Sequence, residues 1–167
     1  VVHRVLHFHR KFHHYDQLQR DHAWRELIQD DTLQKRVGIM GLGTLGANAA
    51  RHLAPFGFKI AGWSRTEKHI DGVQSFFGQK SLKKFLARTD ILICLLPLTP
   101  KTHEILNTET LSQLPHGAYV INSGRGLQIN EHDLLLKLDS GHIEGAALDV
   151  FCTEPLPSNS PIWDHPK

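Results

Sequence analysis

Gly41-Leu42-Gly43-Thr44-Leu45-Gly46 follows the short apolar run Arg36-Val37-Gly38-Ile39-Met40 without a break, and Ala47-Asn48-Ala49-Ala50-Arg51-His52-Leu53 continues it with helix-forming composition. G-x-G-x-x-G between a strand and a helix suits the diphosphate of a dinucleotide. Gly41 permits the tight turn, Gly43 lets the backbone approach phosphate with no Cβ in the way, and Gly46 lets the helix pack closely. The first helical turn, Thr44-Leu45-Gly46, then turns unpaired N–H groups and the positive end of the helix dipole toward the anion. Glycine-rich turns are common, so the flanking strand and helix are what make the pattern specific.

The next apolar stretch, Phe58-Lys59-Ile60-Ala61-Gly62-Trp63, reads as the second strand and ends in Ser64-Arg65-Thr66. A site for a free ribose 2′-hydroxyl places an acid about 20 residues beyond the glycines. None stands there. Ser64 offers a hydroxyl and Arg65 a planar cationic fork suited to a phosphate dianion, with Lys68 nearby to add charge. These residues favour NADP(H). A solvated Arg65, with Glu67 reaching back to the ribose, would leave NAD(H) possible.

Three later segments fall at expected strand ends. Leu96-Pro97, within Leu95–Pro100, forms an apolar loop able to cover the adenosine and ribose. In Asn122-Ser123-Gly124-Arg125-Gly126, an arginine between two glycines has the fork geometry to grip a carboxylate and polarise an adjacent carbonyl. Ser123 stands beside it on the cofactor side. In Leu148–Pro155, Asp149 closes a strand and meets the nicotinamide end, while Glu154 sits in a proline-fixed loop where it could raise the pKa of a histidine and orient it.

The elements that must position these residues alternate along the chain. Strands are expected at 37–40, 59–63, 91–95, 118–122 and 145–149, and helices at 44–55, 81–88, 108–113 and 131–140. Asp90-Ile91-Leu92-Ile93-Cys94-Leu95-Leu96 is a continuous apolar run, as in a strand covered on both faces of a parallel sheet. Asn130 with Asp133 is a helix start, and Ser140-Gly141 a stop. This pattern predicts an α/β fold with a doubly wound parallel sheet of Rossmann type, whose ligand crevice lies at the carboxyl ends of the strands.

Residues 1–28 read as one long amphipathic helix: Val1, Val5, Phe8, Phe12 and Tyr15 recur at helical spacing along one face. Residues 1–34 are accordingly expected to be a projecting helix and linker, and 35–167 the dinucleotide-binding domain, truncated before its last strand. His3/His7 and His9/His13 are i, i+4 pairs, read as a polar helix face rather than a metal site because no carboxylate or thiolate joins them at useful spacing.

Composition excludes several classes. Of 167 residues, 40% are hydrophobic and 22% charged, and 19 Lys and Arg against 17 Asp and Glu leave a net charge of +2, so nothing calls for nucleic acid or a membrane surface. No apolar run approaches a membrane span. Cys94 and Cys152 read as free thiols of a reducing, cytoplasmic compartment. The chain opens Val1-Val2-His3 with Met40 its sole methionine and closes at His165-Pro166-Lys167, which reads as an interior piece of a longer protein.

The glycine motif, Asn122-Ser123-Gly124-Arg125-Gly126, Leu148-Asp149-Val150-Phe151 and Glu154-Pro155, taken in order, resemble the D-isomer-specific 2-hydroxyacid dehydrogenases over nearly the whole chain. Trp63-Ser64-Arg65, Leu114–Val120 and Glu154-Pro155-Leu156-Pro157 resemble the glyoxylate/hydroxypyruvate reductase A branch, which prefers NADPH. The resemblance implies reduction of a small 2-oxo acid, with Arg125 binding the acid and Glu154 paired with a catalytic histidine. That histidine falls in a Thr-Pro-His segment just beyond Lys167; His165 matches a neighbouring His-Pro pair instead. The family's substrate domain, built from both ends of its chain, is missing from this stretch. In the family the helix before the first strand packs on a second subunit, which implies a homodimer and gives the Val1–Tyr15 stripe a partner; packing on its own domain is the alternative. An NAD-linked relative such as a phosphoglycerate dehydrogenase is the enzymatic rival, and a nucleotide-sensing corepressor-like module the rival of another class.

Overall fold

The computed structural model describes residues 1–167. Two short helices, α1 (Val2–His9) and α2 (Phe12–Arg20), precede β1 (Arg36–Met40), α3 (Thr44–Leu53), β2 (Lys59–Ser64), β3 (Gln74–Phe77), α4 (Gln79–Leu86), β4 (Ile91–Cys94), α5 (Thr108–Leu111), β5 (Ala118–Asn122), α6 (Glu131–Asp139) and β6 (Ile143–Leu148). The six strands are parallel and ordered β3-β2-β1-β4-β5-β6. This is the doubly wound order, and its switch point lies between β1 and β4.

Period-two alternation within each buried strand feeds two cores. Val37, Ile39, Ile91, Ile93, Tyr119 and Ile121 face α1 and α3 on one side. Met40, Leu92, Cys94 and Val120 face α4, α5 and α6 on the other. Strands covered on both faces therefore read as unbroken apolar runs. Arg36 clamps the start of β1 to β4: its guanidinium donates twice to the Asp90 carboxylate, and its backbone N–H donates a third bond at 2.9 Å. Helix α6 begins as its sequence specifies, with the Asn130 side chain accepting from Asp133 N–H at 3.1 Å, and ends at Ser140 before Gly141.

Two departures from the expected elements stand out. Strand β3, Gln-Ser-Phe-Phe, escapes periodicity analysis because it is a short edge strand whose residues are at most half-buried. The amino-terminal helix is not one long projecting element. It breaks at Arg10-Lys11, where Lys11 takes a left-handed backbone (φ 56°) and donates through Nζ to the Ile28 carbonyl at 2.7 Å. The break lets α1 lie against its own sheet: Val5 and Phe8 are buried beside Val37, Ile39 and Leu53, and Phe8 stacks on Tyr119 with ring centroids 4.5 Å apart. The first half of the apolar stripe is thus covered by the same domain, while Phe12 stays about half exposed. His9 is likewise no polar-face residue; it is buried, with Nε2 2.9 Å from Thr32 Oγ1.

This packing sets a pH dependence. His7, His9 and His13 all lie below the ordinary imidazole range because burial disfavours their charged form. The effect is largest at His13, held at about 4 by burial and by neighbouring His14, His7 and Lys11, against the opposing pull of Asp16. The unfolded chain titrates these groups at about 6.5, so between the two values it binds more protons than the native state and acid favours unfolding. The stabilisation is complete above about 6.5 and drains away as pH falls toward about 4. The melting temperature should therefore drop between pH 7 and pH 4.5, and His13→Gln should make that drop shallower; an unaltered slope would remove His13 as its source.

Candidate functional site

At the carboxyl edge of the sheet, the turn after β1 is shaped by backbone approach. Gly41 has φ +99° and donates to the Trp63 carbonyl at 2.8 Å, and a Cβ there would press on the Leu95 carbonyl. A Cβ at Gly46 would overlap the Gly41 carbonyl oxygen, so α3 can sit this close to the turn only with glycine. Gly43 differs: nothing lies within 4 Å of where its Cβ would be. It caps α3 without any side-chain acceptor, so Thr44 and Leu45, both exposed, begin a helix whose first N–H groups point at open space. The three glycines thus divide between a tight turn, an open stretch of backbone and close helix packing. Their cradle fits a diphosphate.

At the end of β2, Arg65 is exposed and makes no hydrogen bond or ion pair within the chain, and Lys68 and Glu67 are exposed beyond it. Ser64 is buried and its hydroxyl donates to the Thr66 carbonyl at 2.7 Å. The serine therefore braces the loop that carries Arg65, a role that spacing alone did not suggest.

The loops after β4, β5 and β6 meet on the other side of the switch point. Leu96 is buried and Pro97 exposed, with the Pro97 carbonyl accepting from Thr102 Oγ1 at 2.7 Å to close the loop. Ser123 Oγ donates to Asp149 Oδ2 at 2.5 Å, joining the ends of β5 and β6. Arg125 is exposed; its Nη1 donates to the Gly124 carbonyl at 2.8 Å, and no carboxylate pairs with it. The Glu154 carboxylate accepts from Phe151 N–H at 3.0 Å and is otherwise exposed. A Cβ at Gly126 would run into the Phe151 backbone, so the arginine loop and the Asp149–Glu154 loop pack directly on each other. Two cationic forks, Arg65 and Arg125, thus flank the open end of α3 without acidic partners, an arrangement able to take an anionic cofactor and an anionic substrate side by side.

The structure adds two residues that sequence reading passed over. Asn122 and Gln128 are fully buried amides whose side chains hold the backbone of Arg125. The available signal was a polar residue closing an apolar strand and another between Leu127 and Ile129. His165 stands away from these loops, with Nε2 3.3 Å from Asp139 Oδ1 at the end of α6. Both thiols are raised to about 11, chiefly by burial, so Cys94 and Cys152 stay protonated at neutral pH. No group of three or more His, Cys, Asp or Glu is placed to hold a metal ion, and no helix is long and apolar enough to cross a membrane.

A fold of this order, with these loops at the switch point, is that of a dinucleotide-binding domain. Residues 2–167 match the NAD binding domain of the D-isomer specific 2-hydroxyacid dehydrogenases, and the chain belongs to that family. It is 48% identical over all 167 residues to the glyoxylate/hydroxypyruvate reductase A of Salmonella typhimurium, covering 54% of that protein. Among solved structures, a D-isomer specific 2-hydroxyacid dehydrogenase from Xanthobacter autotrophicus Py2 in complex with NADPH and MES superposes with a TM-score of 0.95 at 44% identity, over 97% of this chain and 51% of that one. The NADPH-dependent glyoxylate/hydroxypyruvate reductase of Sinorhizobium meliloti, in complex with NADP and sulfate, also gives 0.95 at 44% identity, over 99% of this chain and 54% of that one. The chain spans about half the length of the relatives it matches.

The contrast between two glycines is directly testable. Gly46→Ala should cost about 1–3 kcal/mol in urea unfolding, because the methyl meets backbone that cannot yield. Gly43→Ala should stay within about 0.5 kcal/mol of the parent while weakening dinucleotide binding in calorimetric titration. Equal stability of the two variants would contradict the packing of α3 described above.

Proposed function

We propose that this chain is the cofactor-binding part of an NADPH-dependent reductase that converts a small 2-oxo acid, of the glyoxylate or hydroxypyruvate class, to the 2-hydroxy acid. The observation that carries the reading is the pair of exposed guanidinium groups without a carboxylate partner, Arg65 and Arg125, on either side of the uncapped start of α3. Family membership and the NADPH complex of the Xanthobacter relative support it.

The bound dinucleotide would supply a hydride to the C2 carbonyl carbon of the acid. Gly41, Gly43, Thr44, Leu45 and Gly46 hold the diphosphate through backbone N–H groups and the helix dipole. Arg65 meets the 2′-phosphate on the loop that Ser64 braces, and Leu96, Pro97, Ser123 and Asp149 line the path toward the nicotinamide. Arg125 binds the substrate carboxylate and polarises the neighbouring carbonyl as negative charge grows on its oxygen. Glu154 orients and charges the histidine that protonates that oxygen, a residue the family resemblance assigns to a stretch beyond Lys167. The lack of an acid at residues 63–66 counts against an NAD-linked relative.

A homodimer is part of this reading, but through a different surface from the one the sequence pattern suggested. Val5 and Phe8 are occupied within the domain, whereas Trp24, Ile28 and Leu33 are largely or wholly exposed on the segment between α2 and β1. An apolar stretch left in water in this way favours a second copy as its cover. Light scattering should report a dimer at micromolar concentration and a monomer for Trp24→Asp/Ile28→Asp; a monomeric parent would refute the dimer.

Cofactor choice tests the main reading. NADPH should bind about tenfold to more than a hundredfold more tightly than NADH, since a hydrogen bond to a charged group contributes roughly 1.5–3 kcal/mol. Ser64→Asp/Arg65→Ala should reverse the order, because a carboxylate accepts from a free ribose hydroxyl and repels a phosphate. Equal affinities for the two cofactors in the parent would take Arg65 out of the site.

A further inference from the structure

Gln128 is fully buried in the single helical turn that follows Arg125, within the core that includes Cys94, Leu96 and Ile129. Its Oε1 accepts from Arg125 N–H at 2.8 Å, and its Nε2 donates to the Leu96 carbonyl at 2.5 Å. The same Oε1 takes a weak bond from Cys94 Sγ at 3.5 Å. On the other side of the arginine, Asn122 donates from Nδ2 to the Arg125 carbonyl at 3.1 Å and accepts from Gly124 N–H at 3.2 Å. Both backbone polar groups of Arg125 therefore end on buried amides. Gly124 has no room for a Cβ, because the Gln128 side chain fills that space.

A buried amide costs several kcal/mol unless donor and acceptor are both matched. Leucine or methionine would fill the same volume without that demand, so the presence of glutamine calls for a reason. The groups it matches supply one: an N–H from the loop after β5 and a C=O from the loop after β4. Among side chains that keep one charge state, an amide offers a donor and an acceptor on one flat end. We infer that Gln128 is a positioning residue, a buried tie between the cofactor-side loop at Leu96 and the substrate-side arginine, fixing Arg125 at the height and angle at which it meets the substrate carboxylate. Gln128 touches neither cofactor nor substrate. It acts through the backbone of Arg125, whose exposed side chain has only its own Gly124 carbonyl to steady it. The inference rests on the proposed role of Arg125.

The test uses the full-length protein and steady-state kinetics with NADPH and glyoxylate. Gln128→Met keeps the volume and removes both bonds. A small misplacement of a substrate-binding group is costly, so KM for glyoxylate should rise about tenfold or more, while the NADPH dissociation constant rises by a clearly smaller factor, because the cofactor loses only the brace on the Leu96 loop and keeps its diphosphate and 2′-phosphate contacts. Gln128→Glu adds a signature that a merely space-filling residue lacks. Ionised, it can accept from Arg125 N–H but sets oxygen against the Leu96 carbonyl; protonated, it restores both bonds. Its KM relative to the parent at each pH should approach one as pH falls from 8 to 5, with no such recovery in Gln128→Met, and this arm serves if the methionine variant does not fold. A KM within twofold of the parent in Gln128→Met, or KM and NADPH affinity worsening by the same factor, would overturn the inference. Arg125→Gln separates the two levels. If it raises KM and Gln128→Met does not, the tie alone is wrong; if Arg125→Gln leaves KM unchanged, the reading of the site fails and the tie with it.

Discussion

Everything at the carboxyl edge of this sheet depends on how closely α3 approaches the turn after β1. Gly46 sits against the Gly41 carbonyl with no space for a Cβ, and Gly41 in turn sits against the Leu95 carbonyl at the start of the loop after β4. The helix is therefore drawn down over the switch point between β1 and β4, and its uncapped N–H groups face the crevice instead of being buried in the domain. Were α3 displaced outward by the width of a methyl group, the helix start would no longer stand over the gap between the two strands. The open space at Gly43 has meaning only because its two partner glycines leave none.

The second half of the site is held by a different device. Where the turn after β1 relies on the absence of side chains, the loop after β5 relies on buried side-chain amides. Asn122 and Gln128 satisfy the backbone of Arg125 from both sides, Ser123 ties to Asp149, and Gly126 lets the Phe151 backbone lie directly on the arginine loop. The arginine head is left exposed on a rigid base. A charged head on an already fixed backbone has less entropy to lose if it binds an anion. The braced Ser64 loop under Arg65 repeats the arrangement at the other end of the crevice.

The amino-terminal segment illustrates how tertiary contacts override a local pattern. Val1, Val5, Phe8, Phe12 and Tyr15 share a helical face in sequence, yet the helix breaks at Lys11 and only its first half enters the core. The burial of Val5 and Phe8 under the sheet outweighs the cost of a left-handed lysine, which is on the order of 1–2 kcal/mol. Histidines carried into that packing become neutral groups beside Tyr119 and Thr32, and the segment beyond α2 is left with its apolar residues outward.

The sequence by itself determined the doubly wound parallel class of fold, the glycine turn from strand to helix, the start and stop of α6, and the residue types at the strand ends. These depend on local spacing: period two against period 3.6, glycine where a Cβ cannot fit, asparagine where an N–H needs an acceptor. The edge strand β3 left no such trace, since four half-exposed residues carry too little period to read. Only the tertiary structure decided that the amino-terminal helix breaks and folds back, that Ser64 braces a loop, and that two amides hold Arg125. The fold-back and the clamp depend on partners far along the chain, Ile39 and Tyr119 for Phe8 and Leu96 for Gln128, whereas the Ser64 hydroxyl reaches only Thr66, two residues on, across a loop turn that residue types alone do not specify. A side chain's role in a core or a clamp is set by what meets it in space, which residue spacing does not encode.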